Sequence, residues 1–84
     1  MSAEDLQRLV FAKTAVVAGL EPGEIGPDTT LESAGLDSSE AVIVAMEIEE
    51  VIGIELDPGV FLRFANLGEV AEELARLLNA DDQK

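Results

Sequence analysis

The chain contains no cysteine, histidine, tyrosine or tryptophan. These absences exclude disulfides, thiolate and imidazole metal ligands, and most of the nucleophile–base pairs that enzymes use. Basic residues are also scarce, because five of them face eighteen acidic ones and leave a formal net charge of −13. A surface of this charge repels nucleic-acid phosphates and anionic membranes. We therefore expect no enzymatic activity, no metal site, and no nucleic-acid or membrane partner.

Long apolar runs are absent as well, and no segment reaches the length needed to cross a membrane. The sequence accordingly predicts a cytoplasmic monomer. A length of 84 residues supports one domain. We expect its core to extend over about residues 3–79 and residues 80–84 to form a frayed tail. Because the net charge opposes compaction, the melting temperature should rise with added salt, and a salt-independent value would contradict this.

Apolar residues recur at three- and four-residue spacing in three segments, which is the helical period. The first segment runs from Ala3 to Gly19, the second from Asp37 or Ser38 to Ile52, and the last begins near Asn66. The predicted apolar stripe of the first helix consists of Leu6, Leu9, Val10, Lys13, Val16, Val17 and Leu20.

Breaker-rich residues 21–30 predict a long first loop, and the apolar piece from Val60 to Phe64 predicts one or two helical turns. The expected fold is all-α, a small four-helix bundle with three longer helices, a short third helix and a long first loop. With only three phenylalanines as aromatics, its core must be aliphatic.

The second helix is apolar on more than one side. Val44, Ile48 and Ile52 follow one another at four-residue spacing and form the predicted core stripe. The remaining apolar side chains of the helix lie toward a second side, and we interpret them as a candidate contact surface: Val42, Ile43 and Met46.

Ser38 stands where the long loop meets this helix. Asp37 and Glu40 have the spacing of a capping box, which would leave Ser38 in the first turn. A hydroxyl there is exposed, near free backbone N–H groups and the positive end of the helix dipole. From these residues alone, Ser38 is either a tolerated first-turn residue or a point of modification.

Three stretches in this order and spacing, residues 30–38, 49–56 and 66–70, carry a wider pattern, and through them the whole chain resembles the acyl carrier protein family. The resemblance implies that a phosphopantetheinyl transferase attaches 4′-phosphopantetheine from coenzyme A to Ser38, next to Asp37. The chain would then hold biosynthetic intermediates as thioesters, as a free-standing carrier in a dedicated polyketide or related secondary-metabolite pathway. Ser39 departs from the apolar residue that the family commonly has at this position.

The resemblance also implies that the second helix meets partner enzymes: the transferase, and acyltransferase, ketosynthase or acyl- and aminoacyl-loading enzymes with basic or apolar docking patches. The predicted recognition residues are Asp37, Ser39, Glu40, Val42, Ile43, Met46, Glu47, Glu49 and Glu50. By the same resemblance, the helical interior would partly shelter the cargo. Its predicted lining is Ala41, Val44, Met46, Ile54, Leu56, Phe61 and Phe64.

Two alternatives stay open at this point. The chain could be an aminoacyl or peptidyl carrier of a mixed pathway. It could also be an unmodified acidic helical module that binds a protein partner and has no use for Ser38 in particular.

Overall fold

Three long helices and one short helix form the part of the molecule that the structure describes. The computed structural model describes residues 2–57 and 59–82. The long helices are α1 (Ala3–Ala18), α2 (Ser38–Ile52) and α4 (Leu67–Asp82), and the single-turn helix is α3 (Val60–Arg63). A 3₁₀ turn, Pro22–Glu24, interrupts the first connection, and no strand occurs in the described residues. The predicted all-α bundle is confirmed.

The ends of the helices follow from local sequence. Ser2 caps α1 by accepting a hydrogen bond from the backbone N–H of Asp5 at 3.1 Å. Gly19 and Gly53 end α1 and α2 with positive φ values of 72° and 77°, a conformation that glycine adopts at little cost. Helix α4 continues through Asp82, and the division into a core of about residues 3–79 and a frayed tail stays a prediction. Residues 83 and 84 lie outside the described residues.

Side chains from α1, α2 and α4 meet in an aliphatic core, as predicted. Leu6, Val10, Val44, Ile48 and Leu74 are completely buried in it. Ile52, the last member of the predicted α2 stripe, is only half-buried.

The predicted stripe of α1 was wrong at Val16, which is 75% exposed. Thr14 is buried instead, because its hydroxyl donates to the Val10 carbonyl oxygen at 2.7 Å and needs no water. A threonine can therefore take an interior position that a hydrophobic pattern does not assign to it.

The first connection, residues 20–37, is joined to the start of α4 through backbone atoms. Leu67 N–H donates to the Thr29 carbonyl oxygen at 2.8 Å, and Gly68 N–H donates to the Pro27 carbonyl oxygen at 2.9 Å. These N–H groups lie in the first turn of α4 and have no partner within the helix. The loop thus completes the helix end, and the two are held as one unit.

Candidate functional site

Ser38 is the first residue of α2 and is exposed. Asp37 precedes it as the N-cap, in extended conformation, and its Oδ1 accepts from Glu40 N–H at 2.9 Å. Glu40 Oε1 accepts in return from Asp37 N–H at 3.2 Å, so the predicted capping box is present. Within residues 2–57 and 59–82, neither the Ser38 nor the Ser39 hydroxyl forms a hydrogen bond.

This geometry suits Ser38 as an acceptor of a phosphate group. The capping box occupies the N–H of Glu40, while the N–H groups of Ser38 and Ser39 remain available at the helix end. A phosphodiester on the Ser38 oxygen would lie beside them and beside the positive end of the dipole of α2. The site supplies an exposed hydroxyl and a favourable field.

A cavity of about 240 Å³ opens beside Ser38. One wall consists of the first connection and the start of α4, and the other carries Phe61 and Phe64 of the α3 region. The lining residues are Thr30, Leu31, Glu32, Leu36, Asp37, Ser38, Phe61, Phe64, Ala65, Asn66, Leu67 and Val70.

Only two of the residues predicted to line a cargo cavity, Phe61 and Phe64, line the cavity beside Ser38. Ala41 and Val44 are buried in the core, and Met46 is 58% exposed. Leu56 is buried as well, and Ile54 packs against the core. Sequence reasoning missed Thr30, Leu31 and Asn66, which come together because the first connection is bonded to the start of α4. Of these, Asn66 could have been singled out by its capping role at the start of α4, where its Oδ1 accepts from Glu69 N–H at 2.9 Å.

The outer side of α2 exposes large apolar side chains, as predicted. Val42, Ile43 and Met46, which we call the apolar patch, are exposed by 40%, 48% and 58%. Val51 is exposed near the end of the same helix. Their role as a contact surface stays a prediction.

The acidic residues of α2 are mostly occupied within the protein. Glu40 belongs to the capping box, and Glu47 forms an ion pair with Lys13 of α1 at 3.4 Å. Glu49 Oε1 accepts from the backbone N–H of Leu56 at 3.0 Å. Glu50 is exposed and forms no hydrogen bond or ion pair with the other described residues. The predicted recognition acids therefore share one helix but differ in their freedom to meet a partner.

Across residues 2–57 and 59–82, no group of three or more acidic side chains is placed to hold a metal ion. In the same part of the chain, no helix is both long and apolar enough to cross a membrane.

A small bundle of three long helices, with an exposed serine at the start of the second, is an arrangement that suits a carrier domain. The family model described as the phosphopantetheine attachment site matches residues 8–74, and the chain belongs to this family. Domains of this family are carriers rather than catalysts, and their prosthetic group is covalently attached 4′-phosphopantetheine. The resemblance to carrier proteins is confirmed.

Two known proteins illustrate the similarity. The non-reducing polyketide synthase pigA of Monascus ruber is 44% identical over 55 residues, which are 66% of this chain and 2% of the synthase. The chain thus matches a small part of a much longer protein. A crystal structure of a free-standing peptidyl carrier protein, from an uncharacterized Acinetobacter baumannii secondary metabolic pathway, superposes with a TM-score of 0.84 at 27% identity. That match covers 92% of this chain and 96% of the other.

Proposed function

We propose that this protein carries biosynthetic intermediates as thioesters on a 4′-phosphopantetheine arm attached to Ser38. The observation that supports this most directly is the free, exposed Ser38 hydroxyl at the capped start of α2, beside a cavity. In the loading reaction, the Ser38 oxygen attacks the β-phosphorus of coenzyme A, and adenosine 3′,5′-bisphosphate leaves. The transferase supplies the catalysis, so the carrier needs no base of its own.

We propose acyl intermediates of a polyketide or related secondary-metabolite pathway as the cargo. The similarity to a segment of a polyketide synthase supports this choice. The second candidate is an aminoacyl or peptidyl cargo, which the similarity to a peptidyl carrier protein supports. Loading the phosphopantetheinylated protein with an acyltransferase and, separately, with an amino-acid-activating enzyme, and comparing the rates by intact mass, distinguishes the two.

The proposed docking surface consists of the start and outer side of α2. Its residues are Asp37, Ser39, Glu40, Val42, Ile43, Met46, Glu47, Glu49 and Glu50. Since Glu40, Glu47 and Glu49 have partners inside the protein, we expect the apolar patch to carry much of the contact. The transferase and the loading or condensing enzymes would meet it with apolar side chains surrounded by basic ones.

The docking surface is tested by Ile43→Glu, with Val16→Glu on α1 as the matched control. Both positions are exposed, so neither change should unfold the protein. We expect Ile43→Glu to lower the kcat/KM of arm transfer roughly tenfold and Val16→Glu to leave it nearly unchanged. Equal effects of the two changes would contradict docking through the apolar patch.

Attachment is tested by intact mass after incubation with a broad-specificity phosphopantetheinyl transferase and coenzyme A. We expect one phosphopantetheine addition to the wild type and to Ser39→Ala, and none to Ser38→Ala. If neither this transferase nor one from the same host modified the folded wild type, the unmodified interaction module would become the better interpretation.

A further inference from the structure

Glu49 has a position that docking alone does not explain. Its side chain is half-buried, whereas the neighbouring Glu50 is exposed. Its Oε1 accepts from Leu56 N–H, seven residues further along the chain, and its own carbonyl oxygen accepts from Gly53 N–H at 2.9 Å. Glu49 of α2 thus binds the second connection (residues 53–57 and 59 in the described part of the chain) through two hydrogen bonds.

The bond to Leu56 is the main polar tie between this connection and α2. In the part of the chain that the structure describes, no other hydrogen bond joins the backbone of residues 54–56 to the rest of the protein. Leu56 itself is buried, so the bond fixes the depth at which its side chain enters the core. Without the carboxylate, the partly buried N–H would lack a partner within the described residues.

Just beyond Leu56, the chain is stabilised by its own contacts. Asp57 accepts from Gly59 N–H at 2.9 Å through Oδ1 and binds the guanidinium of Arg63 at 3.1 Å through Oδ2. Val60 N–H donates to the Asp57 carbonyl oxygen at 2.9 Å. A change at Leu56 would therefore move this segment as a unit, and with it Phe61, which lines the cavity beside Ser38.

The acceptor in this bond is also a charge on the helix that partners approach. A carboxylate bonds more strongly to a lysine or arginine side chain than to a neutral amide. A protein with a net charge of −13 attracts basic side chains. A second acidic residue, Glu50, lies next to Glu49 in the sequence.

We propose that the Glu49 carboxylate holds the second connection in place until a partner enzyme docks. In the unbound carrier its carboxylate holds Leu56, and in the docked carrier a lysine or arginine of the enzyme takes the carboxylate over. The loss of the bond loosens Leu56 and lets the α3 wall of the cavity move, so docking and access to the cavity are coupled. This inference rests on the proposed carrier function, because it needs an enzyme that docks on α2.

The experiment compares Glu49→Ala, which removes the acceptor, with Glu49→Gln, which keeps an acceptor oxygen without the charge. Glu50→Gln is the matched control for the loss of one negative charge. In the unbound protein, we expect amide hydrogen exchange at Leu56 to accelerate roughly three- to tenfold in Glu49→Ala. It should change less than about twofold in Glu49→Gln and Glu50→Gln. Unchanged exchange in Glu49→Ala would overturn the proposed role of the Glu49 carboxylate in the unbound protein.

The docked state is probed with the transferase that modifies Ser38, added without coenzyme A. We expect Leu56 exchange to accelerate in the wild type and in Glu50→Gln, and to stay slow in Glu49→Gln. Equal acceleration in Glu49→Gln, or none in the wild type, would overturn the coupling. Loading at Ser38 is measured separately by intact mass, so failure of the carrier function is distinguished from failure of the proposed coupling through Glu49.

Discussion

The two connections of the bundle are held in different ways. The first is the longer, yet backbone bonds from Thr29 and Pro27 to the first turn of α4 fix it. The second is short, and besides the backbone bonds of Gly53 and Val60 it is held by carboxylates. Glu49 binds Leu56, and Asp57 binds Gly59 and Arg63. Bonds between backbone groups do not depend on charge, whereas carboxylate bonds respond to pH and to approaching cations. Length therefore says less about the rigidity of a connection than the kind of group that anchors it.

The largest effect should come from the apolar anchor of each connection. Ile25 and Leu56 are similarly buried, so Ile25→Ala and Leu56→Ala should each lower the free energy of unfolding by about 2–5 kcal/mol. Chemical denaturation measures this loss. Hydrogen exchange should then separate the two variants, because only Leu56→Ala loosens its connection beyond the global change, at the amide of Val60. Equal local loosening by Ile25→Ala, at the amide of Thr29, would contradict the comparison.

A smaller effect is expected from adding one methyl group beside each connection. A Cβ at Gly68 would lie 3.0 Å from the Cβ and carbonyl oxygen of Pro27, whose backbone is bonded to Gly68. The three atoms nearest to a Cβ at Gly59 belong to the exposed Asp57 carboxylate, at 3.2–3.5 Å, and a side chain can shift by a few tenths of an ångström more easily than backbone. We expect Gly68→Ala to lower the free energy of unfolding by about 1–2 kcal/mol and Gly59→Ala to change it by less than about 0.5 kcal/mol. The reverse order in thermal denaturation would show that the first connection yields more easily.

The smallest expected effect is on the pKa of Asp57 and on stability at low pH. The Gly59 N–H and then the Arg63 guanidinium lower the pKa of Asp57 below its ordinary value of 3.8. Its contribution to stability is therefore fully present above that value and is lost as the pH falls through the lower pKa of the folded state. Arg63→Gln should raise the pKa of Asp57 only part of the way, because the Gly59 N–H remains. A carbon-detected NMR titration of the Asp57 carboxyl measures this, and an unchanged pKa in Arg63→Gln would contradict the contribution of the guanidinium.

Helix positions could be predicted from the sequence because their signals are local. The capping pairs Ser2 with Asp5 and Asp37 with Glu40, and the glycines that end α1 and α2, all act within a few residues. The family could likewise be recognised from the extended pattern around Ser38.

The burial of particular residues could not be predicted in the same way. Val16 fits the helical period of α1, but a period says which side chains share a face and not which neighbour covers them. The bond from Glu49 to Leu56 and the cavity wall formed by Thr30 and Asn66 depend on contacts between distant residues. The attachment at Ser38 and the recognition surface stay predictions that the proposed experiments address.

The cavity beside Ser38 has two walls, and each depends on a different one of the two connections. The wall that includes Leu31 and Asn66 belongs to the unit that the first connection forms with α4, and the same loop leads into Ser38. The wall that carries Phe61 and Phe64 follows the second connection. Replacements in the α3 region would therefore change the size of group that the cavity admits while Ser38, the proposed attachment point, keeps its position. Under the proposed function, this division would let the cavity change in size while the surface that the transferase meets stays the same.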